Sequence, residues 1–162
     1  MSKLFISCPM KGLSGVEIAE LRAFMLKQAM IIWPEETFEV LESAIPPEPG
    51  HKHLNVHCLG RSIQLIADAD YYIGIRDYYI EQRHKGCQVE NEIARHYLME
   101  DHGTVYVPNV FFVENIAAIP AFHKVFENDA LKRREERLHP VDDDGPIPGL
   151  RDEVEAFKNE KD

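Results

Sequence analysis

The stretch Tyr71-Tyr72-Ile73-Gly74-Ile75, followed after the polar run from Arg76 to Gly86 by Gly86-Cys87-Gln88-Val89-Glu90-Asn91-Glu92-Ile93-Ala94, decides how this chain is read. The first segment is a short apolar strand, and the second is a glycine turn opening a helix whose first turns carry two carboxylates, Glu90 and Glu92. In an open α/β sheet this junction lies at the carboxyl end of a strand, where ligands bind. A carboxylate near a helix N-terminus also meets the positive end of the helix dipole, which favours its ionised form. Glu90 is therefore a candidate nucleophile or an anchor for a sugar hydroxyl. The plain alternative is a first-turn glutamate that only stabilises the helix.

Outward from this junction, strand and helix patterns alternate. Lys3 to Cys8 reads as a strand stopped by Pro9. Val16, Ala19, Leu21, Ala23, Phe24, Leu26 and Met30 give a helix with a broad apolar face, ended by Trp33-Pro34. Thr37 to Leu41 is a second strand, and Pro46-Pro47-Glu48-Pro49-Gly50-His51-Lys52-His53 is a long loop on the side of the site. Gly60 to Ala67 reads as a helix, Gln88 to Asp101 as the next, and Thr104 to Val107 as a fourth strand halted by Pro108. The order β-α-β-α-β-α-β predicts an α/β fold with a mostly parallel sheet of four to five strands flanked by helices, since parallel strands need crossovers. A further helix runs from about Val113 to Leu138, broken or bent at Pro120. Asp142 to Gly149 is a linker by composition, and Leu150 to Asp162 is a short charged helix or a frayed tail. The expected organisation is one domain over residues 1–140 and an acidic linker and tail over 141–162.

A chain of 162 residues with 44% hydrophobic content is long enough for one domain with a real core. The net charge of -10 argues against duplex nucleic acid or an anionic membrane as the main partner, while a small anionic ligand remains open through local basic groups. Three widely spaced cysteines, Cys8, Cys58 and Cys87, with no C-x-x-C pair, read as reduced thiols in a cytoplasmic protein. The apolar run Leu4 to Cys8 lacks a basic leader and reads as a strand rather than a signal peptide, and no stretch approaches the roughly 20 apolar residues of a spanning helix.

The first loop, Ser7-Cys8-Pro9-Met10-Lys11-Gly12-Leu13-Ser14-Gly15, joins a strand to a helix and holds two glycines and a lysine. It is a candidate cradle for a phosphate or a sugar, because free N–H groups at a helix start attract anions and Lys11 adds a full charge; the alternative is a plain βα turn. It matches neither G-x-x-x-x-G-K-[ST] nor G-x-G-x-x-G. Cys8 and Cys87 read as small buried residues, with nucleophilic or thiolate chemistry as the alternative. His51, His53 and His57 fit no metal spacing closely and read as solvated loop residues, so neither a metal nor a cofactor is expected. Asp68 and Asp70 precede a strand, where aspartates commonly close a helix or start a turn.

Three groups of residues in order carry a resemblance: Phe5-Ile6-Ser7-Cys8-Pro9-Met10, then Leu59-Gly60-Arg61-Ser62-Ile63 with Ala69-Asp70, then Gly86-Cys87-Gln88-Val89-Glu90 with Ala94. Together they resemble the nucleoside 2-deoxyribosyltransferase-like superfamily, nearest an uncharacterised and often phage-borne branch, over Lys3 to about Val107. The resemblance implies a Rossmann-like sheet, assembly as a homodimer or higher oligomer, and cleavage of the N-glycosidic bond between a deoxyribose and a base. Glu90, in the G-x-x-x-E-x-x-x-A frame, would attack the anomeric carbon and form a glycosyl-enzyme intermediate, released by water or by a second base. Lys11 falls where a basic residue of monophosphate-cleaving relatives meets the 5′-phosphate.

The departures are informative. The place ahead of Ala69-Asp70 where characterised members carry an aspartate falls on Ser62, which has no titratable proton for the departing base. Asp70, Asp77 or the Tyr78-Tyr79 pair would then have to assist it. Arg83-His84-Lys85 is basic where these enzymes often carry an acid, a sign of an anionic substrate. The expected site is thus Glu90 and Asp70 as catalytic residues, with Ser7, Cys8, Pro9, Met10, Lys11, Gly12, Ser62, Gly86 and Cys87 binding a nucleotide or nucleoside. The alternative is a non-catalytic module that holds a nucleotide or a nucleotide-derived signal in the same crevice.

Overall fold

A computed structural model describes residues 1–10, 12–41, 54–75, 84–97, 104–106 and 116–136. Strands β1 (Ser2–Ile6), β2 (Phe38–Leu41), β3 (Tyr71–Gly74) and β4 (Thr104–Tyr106) form a parallel sheet in the order β2-β1-β3-β4. The register pairs Leu4 with both Val40 and Tyr71, and Ile73 with Val105. Helices α1 (Gly15–Ile32), α2 (Leu54–Asp68) and α3 (Lys85–Tyr97) lie between successive strands; a 3-10 segment (Ile116–Phe122) and helix α4 (His123–Glu136) follow.

Helix α1 starts where the sequence supplies a complete capping box. The Ser14 hydroxyl accepts the Glu17 N–H, and the Glu17 carboxylate accepts the Ser14 N–H in return. The helix buries Leu21, Met25, Gln28, Ala29 and Ile32, one stripe at helical spacing, and stops at Trp33 because Pro34 cannot continue it.

Strand alternation sorts the core into two halves. Leu4 and Ile6 of β1, with Cys8 beyond it, join Ile73 and Ile75 against α1 and against Phe122, Phe126 and Ala130 of the C-terminal helical segment. Phe5 and Tyr72 point the other way, stacked with ring centroids 5.7 Å apart, and meet Ile66 of α2 and Ala94 of α3. Burying side chains of this size contributes roughly 1.5–3 kcal/mol each.

The chain leaves β1 for β2 on one side and then crosses back to β3 and β4 on the other. The change of direction falls between β1 and β3, the point at which open α/β sheets leave a crevice at their carboxyl edge.

Several boundaries differ from the sequence expectation. Helix α3 begins at Lys85 rather than Gln88, and α2 at Leu54 rather than Gly60. Gly60 stands on an exposed helix face where a Cβ would meet nothing, so it costs about 1 kcal/mol in propensity without ending the helix. His57 accordingly belongs to a helix and not to a loop. The helix expected from Val113 to Leu138 is realised as the 3-10 segment containing Pro120, then α4. Lys11, the Pro46–His53 run, Asp77 with Tyr78 and Tyr79, and the linker and tail over 141–162 lie outside the described residues.

Candidate functional site

At the end of β1 the Ser7 hydroxyl donates to Glu90 Oε1 across 3.2 Å, both groups buried. Ser7 is itself held by its N–H to the Ile73 carbonyl at 2.9 Å, at the seam between β1 and β3. Glu90 is the sixth residue of α3 and 6% exposed.

The neighbouring residue fixes this helix to the sheet. Asn91 Nδ2 donates to the Ile75 carbonyl at 2.9 Å, and the Tyr72 hydroxyl donates to Asn91 Oδ1; Tyr72 and Asn91 are wholly inaccessible. Glycine is required at position 74 because a Cβ there would collide with the Asn91 amide and stand 2.9 Å from the Tyr72 ring. The strand end, the tyrosine and the asparagine therefore set the rotation of α3, and with it the direction of the Glu90 carboxyl.

Burial is the dominant electrostatic effect on Glu90 and pushes its pKa up to about 7, opposed by hydrogen bonds from Ser7 and Ser62 that favour the charged form. This corrects the expectation that the helix dipole keeps Glu90 ionised. The residue lies in the second turn, where the dipole's influence has fallen off, and desolvation exceeds it. The Ser62 hydroxyl also donates to the Cys58 carbonyl at 3.2 Å, so its one proton has two acceptors within reach.

Both nearby thiols are held protonated. Burial carries Cys8 to about 12, with the Arg22 guanidinium pulling the other way and Glu90 adding to the rise. Cys87 is raised further, by burial and then by the charge of Glu90. Neither is a thiolate nucleophile at neutral pH.

Of the expected site residues, Ser7, Cys8, Ser62, Cys87 and Glu90 come together at the carboxyl edge. Pro9 is buried beside them, its carbonyl accepting from Cys8 Sγ at 3.4 Å. Met10 and Gly12 continue the first loop on the exposed side, Gly12 in the left-handed region at φ 81°, and Gly86 is exposed in the first turn of α3. Of the basic trio before α3, Lys85 is exposed and His84 is buried.

Asp70 does not join the cluster. It precedes β3, exchanges hydrogen bonds with the Lys3 backbone (2.9 Å to Oδ2 and 2.8 Å from its own N–H), and so stands at the amino end of the sheet. The four residues of β3 separate it from the carboxyl edge, roughly 13 Å at the rise of a strand. The catalytic assignment expected for Asp70 is corrected accordingly.

Three contributors were not evident from the sequence. Asn91 and Tyr72 were signalled only by Gly74, a glycine inside a strand, which marks close approach. Arg22 lies on a helix legible mainly by its apolar stripe, yet its Nη2 sits 3.6 Å from Met10 Sδ and its charge acts on Cys8.

Among the described residues, no group of three or more His, Cys, Asp or Glu side chains is arranged to hold a metal ion. No described helix is long and apolar enough to cross a membrane. Comparison of the chain with protein-family models, with curated proteins and with solved structures finds no match.

Proposed function

We propose that the protein cleaves, or transfers across, the N-glycosidic bond of a nucleotide or nucleoside, with Glu90 as nucleophile. The observation that carries this reading is a buried carboxyl, hydrogen-bonded by Ser7 at the switch point of a parallel sheet. The strand order with helices between successive strands supports the Rossmann-like assignment that the resemblance implies. In the reaction a Glu90 carboxylate oxygen bonds to the anomeric carbon as the carbon–nitrogen bond breaks, and the electron pair leaves with the base, which takes up a proton from solvent. Water, or a second base, then displaces the glutamate, gives up a proton to solvent and restores the carboxylate. A desolvated carboxylate lacks the hydration that would stabilise its charge, so it gains most from the positive charge that develops on an oxocarbenium-like sugar. With a pKa pushed up to about 7, both the neutral and the charged forms are accessible near neutral pH.

A second reading, a module that holds a nucleotide without cleaving it, is favoured by Ser62, whose hydroxyl cannot protonate a departing base, and by the distance of Asp70 from the edge. The resemblance further supports a homo-oligomer, and the three widely spaced cysteines support a cytoplasmic location, which sedimentation and fractionation address. Incubation with a panel of deoxynucleotides and deoxynucleosides, scored for free base against a Glu90→Gln blank, tests the catalytic reading. Base release in the wild type alone supports it; no release from any of them leaves the binding module.

A further inference from the structure

We propose that the groove between α1 and the C-terminal helical segment is a second binding site, for a neutral planar heterocycle whose edge carries a donor and an acceptor side by side. The groove shares no described lining residue with the Ser7–Glu90 crevice, and the proposal does not depend on the chemistry assigned there.

Helical spacing builds one wall. Glu20, Ala23, Phe24, Lys27, Gln28 and Ile31 recur at three- and four-residue intervals along α1 and so share one face, beside the stripe that packs on the sheet. Ile119 and Pro120 of the 3-10 segment, with His123 and Glu127 of α4, form the facing wall, and the cavity between them measures about 560 Å³. Small-molecule sites span roughly 300–1,000 Å³ and combine mainly apolar walls with a few converging polar groups.

Gln28 is the polar group on the floor. It is 4% exposed, it belongs to the stripe that α1 turns inward, and its amide has no hydrogen-bond partner among the described residues. Buried amides are ordinarily paired, because one without a partner has given up its bonds to water for nothing. Nε2 donates and Oε1 accepts in a single plane. The complement to that pair is an acceptor beside a donor, as on the edge of a lactam or of an amino-substituted aza ring.

The walls suit a flat ligand. Phe24 is fixed by an edge-to-face contact with the buried Phe126, ring centroids 4.9 Å apart, and His123 is held by donation from Nδ1 to the Pro120 carbonyl at 3.1 Å. One aromatic ring therefore belongs to each wall, and the small side chain of Ala23 leaves width between them. At the rim the exposed carboxylates of Glu20 and Glu127 outnumber the ammonium of Lys27, which disfavours an anion.

The probe is 2-quinolone, a bicyclic lactam, compared with N-methyl-2-quinolone, which keeps the ring and loses the donor; binding to the full chain is read by calorimetry. Wild type is expected to hold the lactam roughly 10-fold or more tightly than its N-methyl form. Gln28→Leu should erase that preference. Ala23→Trp fills the groove from an exposed position and should remove lactam binding while the circular dichroism of the fold is kept, so the test stands even where Gln28→Leu does not fold. Glu90→Gln should change none of this, which separates the groove from the crevice. A lactam that does not bind, that binds no better than its N-methyl form, or that still binds Ala23→Trp overturns the proposal. Loss of binding in Glu90→Gln overturns it too, by placing the lactam in the crevice. So does self-association of wild type that Ala23→Trp abolishes, since a second copy then fills the groove.

Discussion

The Ser7 hydroxyl and the Glu90 carboxylate meet at 3.2 Å although 83 positions separate them in the chain. One ends the strand beside the switch point and the other stands on the helix that follows the next strand over. Their contact is thus a property of parallel crossover topology, and the chemistry assigned to Glu90 depends on it.

Replacement of Glu90 by Gln should lower base release by two or more orders of magnitude, because a neutral amide does not attack the anomeric carbon. Glu92→Gln is the control. It lies about 200° around the helix from Glu90, faces His96 at 3.6 Å on the exposed side, and should leave turnover within a few-fold of wild type. Steady-state kinetics on both variants checks the pair.

The raised pKa of Glu90 gives activity and stability opposite dependences on pH. Activity that needs the carboxylate should rise with pH through about 7. For stability, the fold binds the proton more tightly than the unfolded chain does. The contribution of the neutral form is therefore complete below the ordinary glutamate range and is lost as pH rises through about 7. The ionised group then costs on the order of 3 kcal/mol, so Glu90→Gln should melt higher than wild type at pH 8, with the gap closing towards pH 4.5. Thermal denaturation across that range reads both the sign and the window.

Gly74→Ala should destabilise the fold by about 1–3 kcal/mol, since the added methyl drives into Asn91 and Tyr72. Asn91→Leu should cost a similar amount, leaving the Ile75 carbonyl and the Tyr72 hydroxyl without the amide. Both should reduce turnover beyond what the lost stability explains, because α3 is no longer held in rotation. Denaturant melts paired with kinetics below the transition distinguish these effects.

Ser62→Asp brings a second carboxylate against a buried one. Like charges so close cannot both ionise readily, so the pH at which activity appears should move upward, and an anionic ligand should bind more weakly. A pH–rate profile that matches wild type would show that position 62 does not face Glu90 in solution.

Much of the fold was legible because period-two and helical patterns are local properties. Leu4 to Ile6 and Tyr71 to Ile73 declared themselves by side-chain type, whereas on α1 the face that packs is Leu21, Met25, Gln28, Ala29 and Ile32, and Val16, Ala19, Ala23 and Met30 of the expected apolar face are exposed. The convergence of Ser7 and Glu90 was accessible because strand–loop–helix junctions share one edge in a parallel sheet, whereas Ser62, in the middle of α2, was picked out only by the resemblance. The same rule excludes Asp70, which enters its strand at the amino end, so that correction was already implicit in the connectivity. The energetic state of Glu90 was hidden, since desolvation depends on neighbours brought from β1 and α2. Arg22 was hidden for a related reason: a side chain that reaches back two turns makes contacts that spacing along its own helix does not encode.

The two halves of the core are unequal among the described residues, with fourteen buried side chains on the α1 and α4 side and four on the other. The helix bearing Glu90 belongs to the half with fewer of them and is tied to the sheet by the Asn91 amide, by the Ser7–Glu90 bond and by Ala94. Its backbone N–H groups should exchange with solvent deuterium well ahead of those of α1, through partial opening rather than global unfolding. Opening of that kind would let one wall of the crevice yield to a bulky ligand while the β1–β3 pairing that orients it stays in register.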